Sequence, residues 1–450
     1  MSKDVKIRKG VNIKLKGVAE RLYVDATSTS DVVIKPTDFP GLIPKLSVKV
    51  GDKVKAGSPL FYNKENDKVM FTSPISGEVT EINRGEKRKI LEVKVKADGA
   101  NTYETFKQGD PANMAKEEIL DNMLKSGVWP FVRQRPFDVI ASPMDTPKAI
   151  HVTAFDSAPL APDFGFIAHG QGAILQAGLD ALTKLTSGKV HLNITGNANA
   201  DEAFTGAKNV QINKISGPHP AGNVGVQMHH IDPINKGEVV WTLNALDVLT
   251  IGKLFTEGKF DASRSIALAG SKITAPTYVK TVMGANMTAI LKGNLEEDAR
   301  IISGNPLTGT QVQENGHLGF YNYQVTAIPA GGEARFMGWL PFLGFNGFSL
   351  SRTSFSFLSP NKERDLDANM NGEERAFVMA GQYEKLFPMD IFPVHLVKSM
   401  IYKDIDLMEN LGVYEVAPED FALCEYACTS KIETQKIVRE ALDLVRKETS

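Results

Sequence analysis

The stretch Gly51–Ile82, GDKVKAGSPLFYNKENDKVMFTSPISGEVTEI, decides how the first part of this chain folds. Val48 and Val50 alternate with polar residues just before it, and Val93 and Val95 do so just after it. That period of two places apolar side chains on one face of short strands. Gly51, Gly57 and Gly77 fall between the strands, where tight turns demand residues of wide conformational freedom. Further out, Val11, Ile13 and Leu15 keep the same period, and Gly41 and Gly85 supply further turns. Residues 1–97 are therefore expected to be all-β.

The pattern is V-x-V-G-D-x-V-x-x-G, then E-N-D-K, then S-P-x-x-G-x-V. It resembles the biotinyl/lipoyl fold, the barrel-sandwich hybrid. In lipoyl domains the modified lysine sits at a hairpin tip, eight residues before a Ser/Ala-Pro. Here Pro74 follows Lys68 by six residues, and the arm before the lysine is one residue longer. Shortening a period-two hairpin by two preserves facing but moves the tip. Lys68 is thus expected to be an unmodified surface lysine on a borrowed fold.

The chain has 450 residues, enough for about three domains of roughly 150 residues. A net charge of −2 leaves no electrostatic footprint for nucleic acid. Two cysteines exclude a disulfide framework and point to a reducing compartment. The opening MSKDVKIRKG lacks a signal-peptide core, and no run reaches the ~18–20 apolar residues of a spanning helix. The expected chain has no transmembrane segment.

Residues 98–116 are polar, with Gly109 and Pro111, and read as a linker. Residues 117–260 switch period. Ala149–Val152, Val190–Ile194 and Val210–Ile212 read as strands. Leu175, Leu179 and Leu182 mark a helix that Gly188 can end, and Trp241 to Phe255 reads as another helix. Strand, helix, strand predicts a parallel α/β layer. Residues 261–330 are a compact mixed module, with strands at 265–270 and 301–304 around a short helix near 284–292. Residues 331–372 are a connecting segment rich in Phe and Trp. Residues 373–450 are mostly helical, with Ser430 and Glu433 as a capping box before the stripe Ile437, Val438, Ala441, Leu442 and Val445. The fold class expected is a multidomain α+β and α/β chain.

This order of parts resembles the C subunit of the Rnf electron-transport complex and, more distantly, the flavin-binding subunit of respiratory complex I. The segments GVNIKLKGVAE, PTDFPGLIPKL, SGPHPAGNVGVQMHHIDP, RIISGNPLTG, FPMDIFP and LGVYEVAPEDFALCEYACTSKIE resemble most closely the A-subunit family of the Na+-translocating NADH:quinone reductase. The resemblance implies a barrel-sandwich hybrid, a Rossmann-like layer, a β-grasp-like SLBB module and a helical C-terminal domain. It also implies a complex that couples NADH oxidation and quinone reduction to Na+ export. NAD, FAD, FMN, riboflavin and iron–sulfur centres are then expected in other subunits. This chain would be peripheral on the cytoplasmic face of the bacterial inner membrane, and the B subunit of the complex would be its partner. The other reading is a free-standing flavin or quinone oxidoreductase, or an Rnf-type subunit.

The flavin-binding relatives carry a G-G-A-G-F-P loop whose bare amides approach the FMN phosphate. The matching stretch here is Gly127-Val128-Trp129-Pro130-Phe131-Val132-Arg133, with bulky side chains and a proline that lacks an N–H. Their N-x-x-E-C-E-P strand end becomes Thr153-Ala154-Phe155-Asp156-Ser157-Ala158-Pro159, where Asp156 keeps one carboxylate. The expectation is a flavin fold without its FMN site. Gly170-Gln171-Gly172 is a lone G-x-G, better read as a close helix-packing contact than a dinucleotide loop.

Cys424 and Cys428 form C-x3-C, but Phe421 and Pro418 stand where a ferredoxin run needs cysteines, and Thr429 replaces its proline. Two buried thiols on one helical face is the reading favoured over a cluster or a zinc site. His219, His229 and His230 cluster in one motif. They are read as a Pro/Gly-shaped loop with interface histidines, since nothing completes a metal set. A contact with quinone, implied by the resemblance, stays open. The segment 335–358 holds Phe336, Trp339, Phe342, Phe345, Phe348, Phe355 and Phe357. It is either a core cap or a docking surface. No catalytic residue or metal ligand is assigned.

Overall fold

The alternation around Gly51 produces two small facing sheets. Asp31–Ile34, Ile90–Ala97, Gly77–Arg84 and Lys53–Val54 form one, in that spatial order, and Pro44–Leu46, Pro59–Asn63 and Asn66–Thr72 form the other. Leu60, Phe61, Val69, Phe71, Val79, Val93 and Val95 fill the space between them, with Phe61 stacked on Phe71 at 4.7 Å. The computed structural model describes residues 2–25, 28–332, 337, 347–350 and 355–449.

The first 25 residues leave this module. Asp4–Lys6 pairs in parallel with Gln211–Ser216, and Glu20–Asp25 pairs in parallel with Thr277–Val282. The segment read as a linker is also tied down. Thr102 and Glu104 bond to Ala56, Phe106 N–H donates to Gly258 and Gly109 N–H to Phe255.

The seven-stranded sheet runs Asp4–Lys6, Gln211–Ser216, Lys189–Thr195, Ala149–Thr153, Val240–Asn244, Arg133–Arg135, Val139–Ile140. The first five strands are parallel. Ile150, Val152, Val190, Leu192, Trp241 and Leu243 form its apolar face, packed against helices Gly172–Thr183 and Ala245–Glu257. Those helices meet at glycines: a Cβ on Gly178 would collide with Val248 O, and one on Gly252 with Ile174 O. Gly170 has nothing near it and Gly172 makes only ordinary contact with Ala203. The packing role expected of the G-x-G thus belongs to Gly178 and Gly252.

Three further local expectations are corrected. Trp241 opens no helix; Val240–Asn244 is a strand, because its β-branched and aromatic residues pair with Ala149–Thr153, and Asn244 then caps the helix at Asp247 N. The helix from Gly172 ends at Thr183, before Gly188, whose lack of a Cβ instead admits Lys148 O. Ser430 does not cap the last helix, which begins at Thr434; its hydroxyl donates to Ala376 O.

A six-stranded sheet follows: Thr310–Val312, Ala299–Ser303, Gln324–Pro329, Ser263–Ala269, Thr277–Val282, Glu20–Asp25. The C-terminal helices Pro393–Tyr402, Ile405–Asn410, Ala422–Ala427 and Thr434–Thr449 share a core with Ile7, Ile13 and Ile215. Among the described residues no helix is long and apolar enough to cross a membrane.

Candidate functional site

Ala149–Thr153 and Val240–Asn244 are parallel neighbours, and the helices that follow them, Gly172–Thr183 and Ala245–Glu257, pack on each other. Open α/β sheets bind ligands outside the carboxyl ends of such strands. A cavity of about 400 Å³ lies there, with Thr153 and Asn244 at its floor. Asn305, Tyr323 and Gln324 wall it from the six-stranded sheet, and Glu419, Gln435 and Arg439 from the C-terminal domain.

The cavity mixes apolar and charged residues, and its charged groups are already engaged. Arg133 pairs with Asp138 and lies 5.3 Å over the Tyr321 ring. Arg439 pairs with Asp443 at 2.8 Å and donates to Phe137 O and Asp138 O. Asp247, at the amino end of the helix, accepts from Tyr323 Oη at 2.7 Å and also from Asn244. Burial raises its carboxyl to about 6 despite Arg264. Burial likewise raises Asp156, and it lifts Glu419 to about 7 with Asp420 adding repulsion. Behind the wall, fully buried Arg135 reaches Glu419 Oε1 at 3.2 Å, Asp420 Oδ2 at 3.5 Å and Asp138 Oδ1 at 3.7 Å.

His219 is the histidine that enters the cavity. Its backbone N–H donates to Asn12 Oδ1 at 2.8 Å and its carbonyl accepts from Val11 N at 2.9 Å. Gly10, at φ +120°, passes too close to His219 O for any side chain. The segments GVNIKLKG and SGPHPAGN therefore meet here. Ser157 Oγ lies 3.0 Å from His219 Nδ1, and burial lowers the imidazole to about 4. His229 and His230 do not join it. His229 Nε2 accepts from Asp390 N at 2.9 Å, so its Nδ1–H faces Glu415 at 2.6 Å. His230 Nδ1 faces Val226 O at 2.9 Å within its own helix.

The loop matched to the flavin glycines is packed solid. Trp129, Pro130 and Phe131 are buried; Trp129 Nε1 donates to Ala141 O at 2.8 Å, and Phe131 stacks on Phe320 at 5.1 Å. Gly127 survives for a different reason. It closes the helix Lys116–Ser126 at φ +87°, and a Cβ would run into Thr72. Gly127→Ala is expected to cost about 2–4 kcal/mol, from left-handed strain plus overpacking, read as a drop in the denaturant midpoint.

Three domain models match: the NqrA N-terminal barrel-sandwich hybrid domain over residues 5–98, the NqrA second alpha/beta domain over 114–260, and the NQRA C-terminal domain over 265–314. The A subunit of the Na(+)-translocating NADH-quinone reductase of Hahella chejuensis is 36% identical over 99% of this chain and 100% of its own length. The chain belongs to that family. The A subunits of Neisseria meningitidis serogroup B and of Pasteurella multocida are also 36% identical, again over 99% of this chain and all of theirs. An NAD+-reducing [NiFe]-hydrogenase aligns with 49% of this chain and 45% of its own at TM-score 0.33 and 11% identity, too slight a likeness to bear on fold or chemistry.

The remaining features singled out in this NqrA-family sequence have plain positions. Lys68 is exposed and lies on Asn66–Thr72, past the Lys64-Glu65 turn, so it does not crown the hairpin. The turn itself is held from outside, since Arg446 pairs with Glu65 at 3.0 Å. Cys424 and Cys428 are both buried and unpaired. They do not share one helix, because Ala422–Ala427 ends just before Cys428. Among the described residues no cluster of three or more metal-binding side chains occurs. Of the aromatic segment, Phe348 is partly buried against Tyr426 and Arg364, and Phe355 and Phe357 are exposed in part. Phe336, Trp339, Phe342 and Phe345 lie outside the described residues.

Proposed function

We propose that this chain is the cytoplasmic, peripheral A subunit of a Na+-translocating NADH:quinone reductase, serving as structure and holding no redox centre of its own. The observation that carries this reading is the match to curated A subunits over the full length of both chains. The complex would pass electrons from NADH to ubiquinone or menaquinone and export Na+. NAD, FAD, FMN, riboflavin and iron–sulfur centres would reside in the other subunits, and the membrane-embedded B subunit would be the neighbour of this one. The seven-stranded layer is read as Rossmann-like and the six-stranded one as the SLBB module.

Two features support the absence of a flavin. Trp129 and Phe131 fill the place of the phosphate loop. The amino end of Ala245–Glu257, where a phosphate would be welcomed, is occupied by the chain's own Asn244 and Asp247. A quinone contact, if this chain makes one, belongs to His219, because it alone of the three histidines lines the cavity, while His229 spends both ring nitrogens on Asp390 and Glu415 and His230 turns Nδ1 to Val226.

The test is purification of the tagged chain from membranes of its source cell. The expected result is co-purification of the other subunits with Na+-dependent NADH:quinone reductase activity. A chain that leaves the membrane alone, with its own flavin and activity, would instead support a free-standing oxidoreductase. A photoreactive quinone analogue applied to the intact complex should lose its labelling of this chain in His219→Ala and keep it in His230→Ala.

A further inference from the structure

The sequence holds three Asn-Gly pairs, at 315–316, 346–347 and 371–372, and Asn346 lies outside the described residues. An asparagine before glycine is prone to attack by the glycine's own amide nitrogen, because no side chain stands in the way. Two conditions then govern the rate: the glycine N–H must be free, and the backbone must be able to bring it onto the carboxamide. The other two pairs differ in both. Gly316 N donates to Gln313 O at 2.8 Å, and Gly316 O accepts from Met287 N at 2.8 Å. Thr288 Oγ1 holds the same turn by donating to Glu314 O at 2.9 Å. Attack by Gly316 N requires this turn to open.

Asn371 and Gly372 are exposed, and among the described residues nothing accepts from Gly372 N. The Asn371 side chain makes one hydrogen bond there, from Nδ2 to Asn369 O at 3.1 Å. Its φ of +51° lies in the left-handed region that asparagine tolerates, and Gly372 stands at +156°. The chain is anchored on either side. Ala368 N donates to Pro329 O at 3.2 Å and Gly332 N to Asn369 Oδ1 at 2.8 Å, while Arg375 N donates to Ser430 O at 2.8 Å. Residues 370–374 thus bridge the six-stranded sheet and the C-terminal domain without a hydrogen bond to either.

We propose that Asn371 is a site of spontaneous deamidation and isomerisation, and that Asn315 is not. In the first step Gly372 N bonds to Asn371 Cγ and the Cγ–Nδ2 bond breaks. Nδ2 leaves as ammonia, with the proton that Gly372 N gives up, and a cyclic imide remains. Water then opens the ring. Cleavage between the nitrogen and Cγ gives aspartate; cleavage between the nitrogen and the main-chain carbonyl carbon gives isoaspartate, whose backbone runs through Cγ. No electrons are transferred, and water is the co-reactant. Either product adds a carboxylate, and isoaspartate lengthens the backbone by a methylene between the two anchors. A Cβ on Gly372 would lie 3.4 Å from Lys431 Cε, so the new charge arises beside that lysine chain. The modification goes beyond the chain's role in the complex and does not depend on it.

The full chain is incubated in mildly alkaline buffer, once folded and once in denaturant. Peptide mapping by mass spectrometry, with isoaspartate-specific methylation, follows Asn315 and Asn371 over time. In the folded chain Asn371 should convert about fivefold faster than Asn315 or more, since attack by Gly316 N must first give up a hydrogen bond. In denaturant the two rates should converge, because both pairs are then equally free. The rate at Asn371 should rise with pH, because base removes the attacking amide proton. Asn371→Gln, a change at an exposed position, should melt with the wild type and form no isoaspartate there. Equal rates in the folded chain, or a faster Asn315, would overturn the proposal. So would an Asn371 that converts in denaturant and stays intact when folded. Because the chain alone is used, these outcomes are independent of whether it assembles with other subunits.

Discussion

Arg135→Met is expected to cost this protein about 3–5 kcal/mol, the range for breaking a buried ion pair from one side. Arg135 is fully buried and holds three carboxylates at once: Asp138 beside it, and Glu419 and Asp420 from the C-terminal domain. Its distances of 3.2 to 3.7 Å are not those of a tight fork, so its role is to neutralise more than to bond. Methionine keeps the volume and removes the charge. Glu419 and Asp420 would then face each other without a cation between them, while Asp420 also sits at the amino end of Val224–Ile231 beside Gly225. The loss should appear as a lower denaturant midpoint at neutral pH, and Asp420→Asn in the same background should restore part of it. A change under about 1 kcal/mol would mean that Glu419 and Asp420 are already protonated and that Arg133 suffices for Asp138.

The second large effect is a pair of opposite pH responses in one cavity. Burial lowers His219 to about 4, below its unfolded value of about 6.5. Between those values the unfolded chain takes up a proton that the folded chain refuses. The contribution of His219 is therefore complete above pH 6.5 and falls as pH drops toward 4, by about 3 kcal/mol. His191, lowered to about 4 mainly by burial, adds a similar loss. His219→Gln should be most destabilising at pH 7.5 and narrow its gap to the wild type by about 2–3 kcal/mol at pH 4.5. Asp247 runs the other way. Its folded value of about 6 exceeds the unfolded one, so its contribution is complete below about pH 4 and is lost as pH rises through 6. Asp247→Asn should compare best with the wild type at pH 8 and progressively worse as pH falls through 6. Chemical denaturation of all three proteins at several pH values checks both signs; parallel curves for the two variants would contradict them.

Much of this site is legible in the amino-acid order. The motif around His219 and the stretch GVNIKLKG stand out in the sequence, and the fold brings Gly10, Val11 and Asn12 onto His219. Gly127-Val128-Trp129-Pro130-Phe131 announces a filled loop by composition, and the aromatic packing follows from it. Other parts need the third dimension. Trp241 has the same local pattern in a helix as in a strand, and only pairing with Ala149–Thr153 decides for the strand. Two further sequence signals point toward the sheet's polar side. Ile150-His151-Val152-Thr153 and Val190-His191-Leu192-Asn193 alternate apolar and polar residues, whereas doubly covered parallel strands are apolar throughout. That alternation marks a polar sheet face, where His151 stacks on His191 at 4.5 Å and Asn213 bonds to Asn193. Gln324 and Glu419 carry no such signal, because they reach the cavity from other domains through contacts 165 and 284 residues apart in sequence.

The proposed absence of a flavin makes a direct optical prediction. The measurement is the absorbance spectrum of the purified chain, followed by titration with FMN under fluorescence detection. A colourless protein that leaves FMN fluorescence unquenched is the predicted result. A yellow protein with a stoichiometric flavin band, or saturable quenching of added FMN, would contradict it.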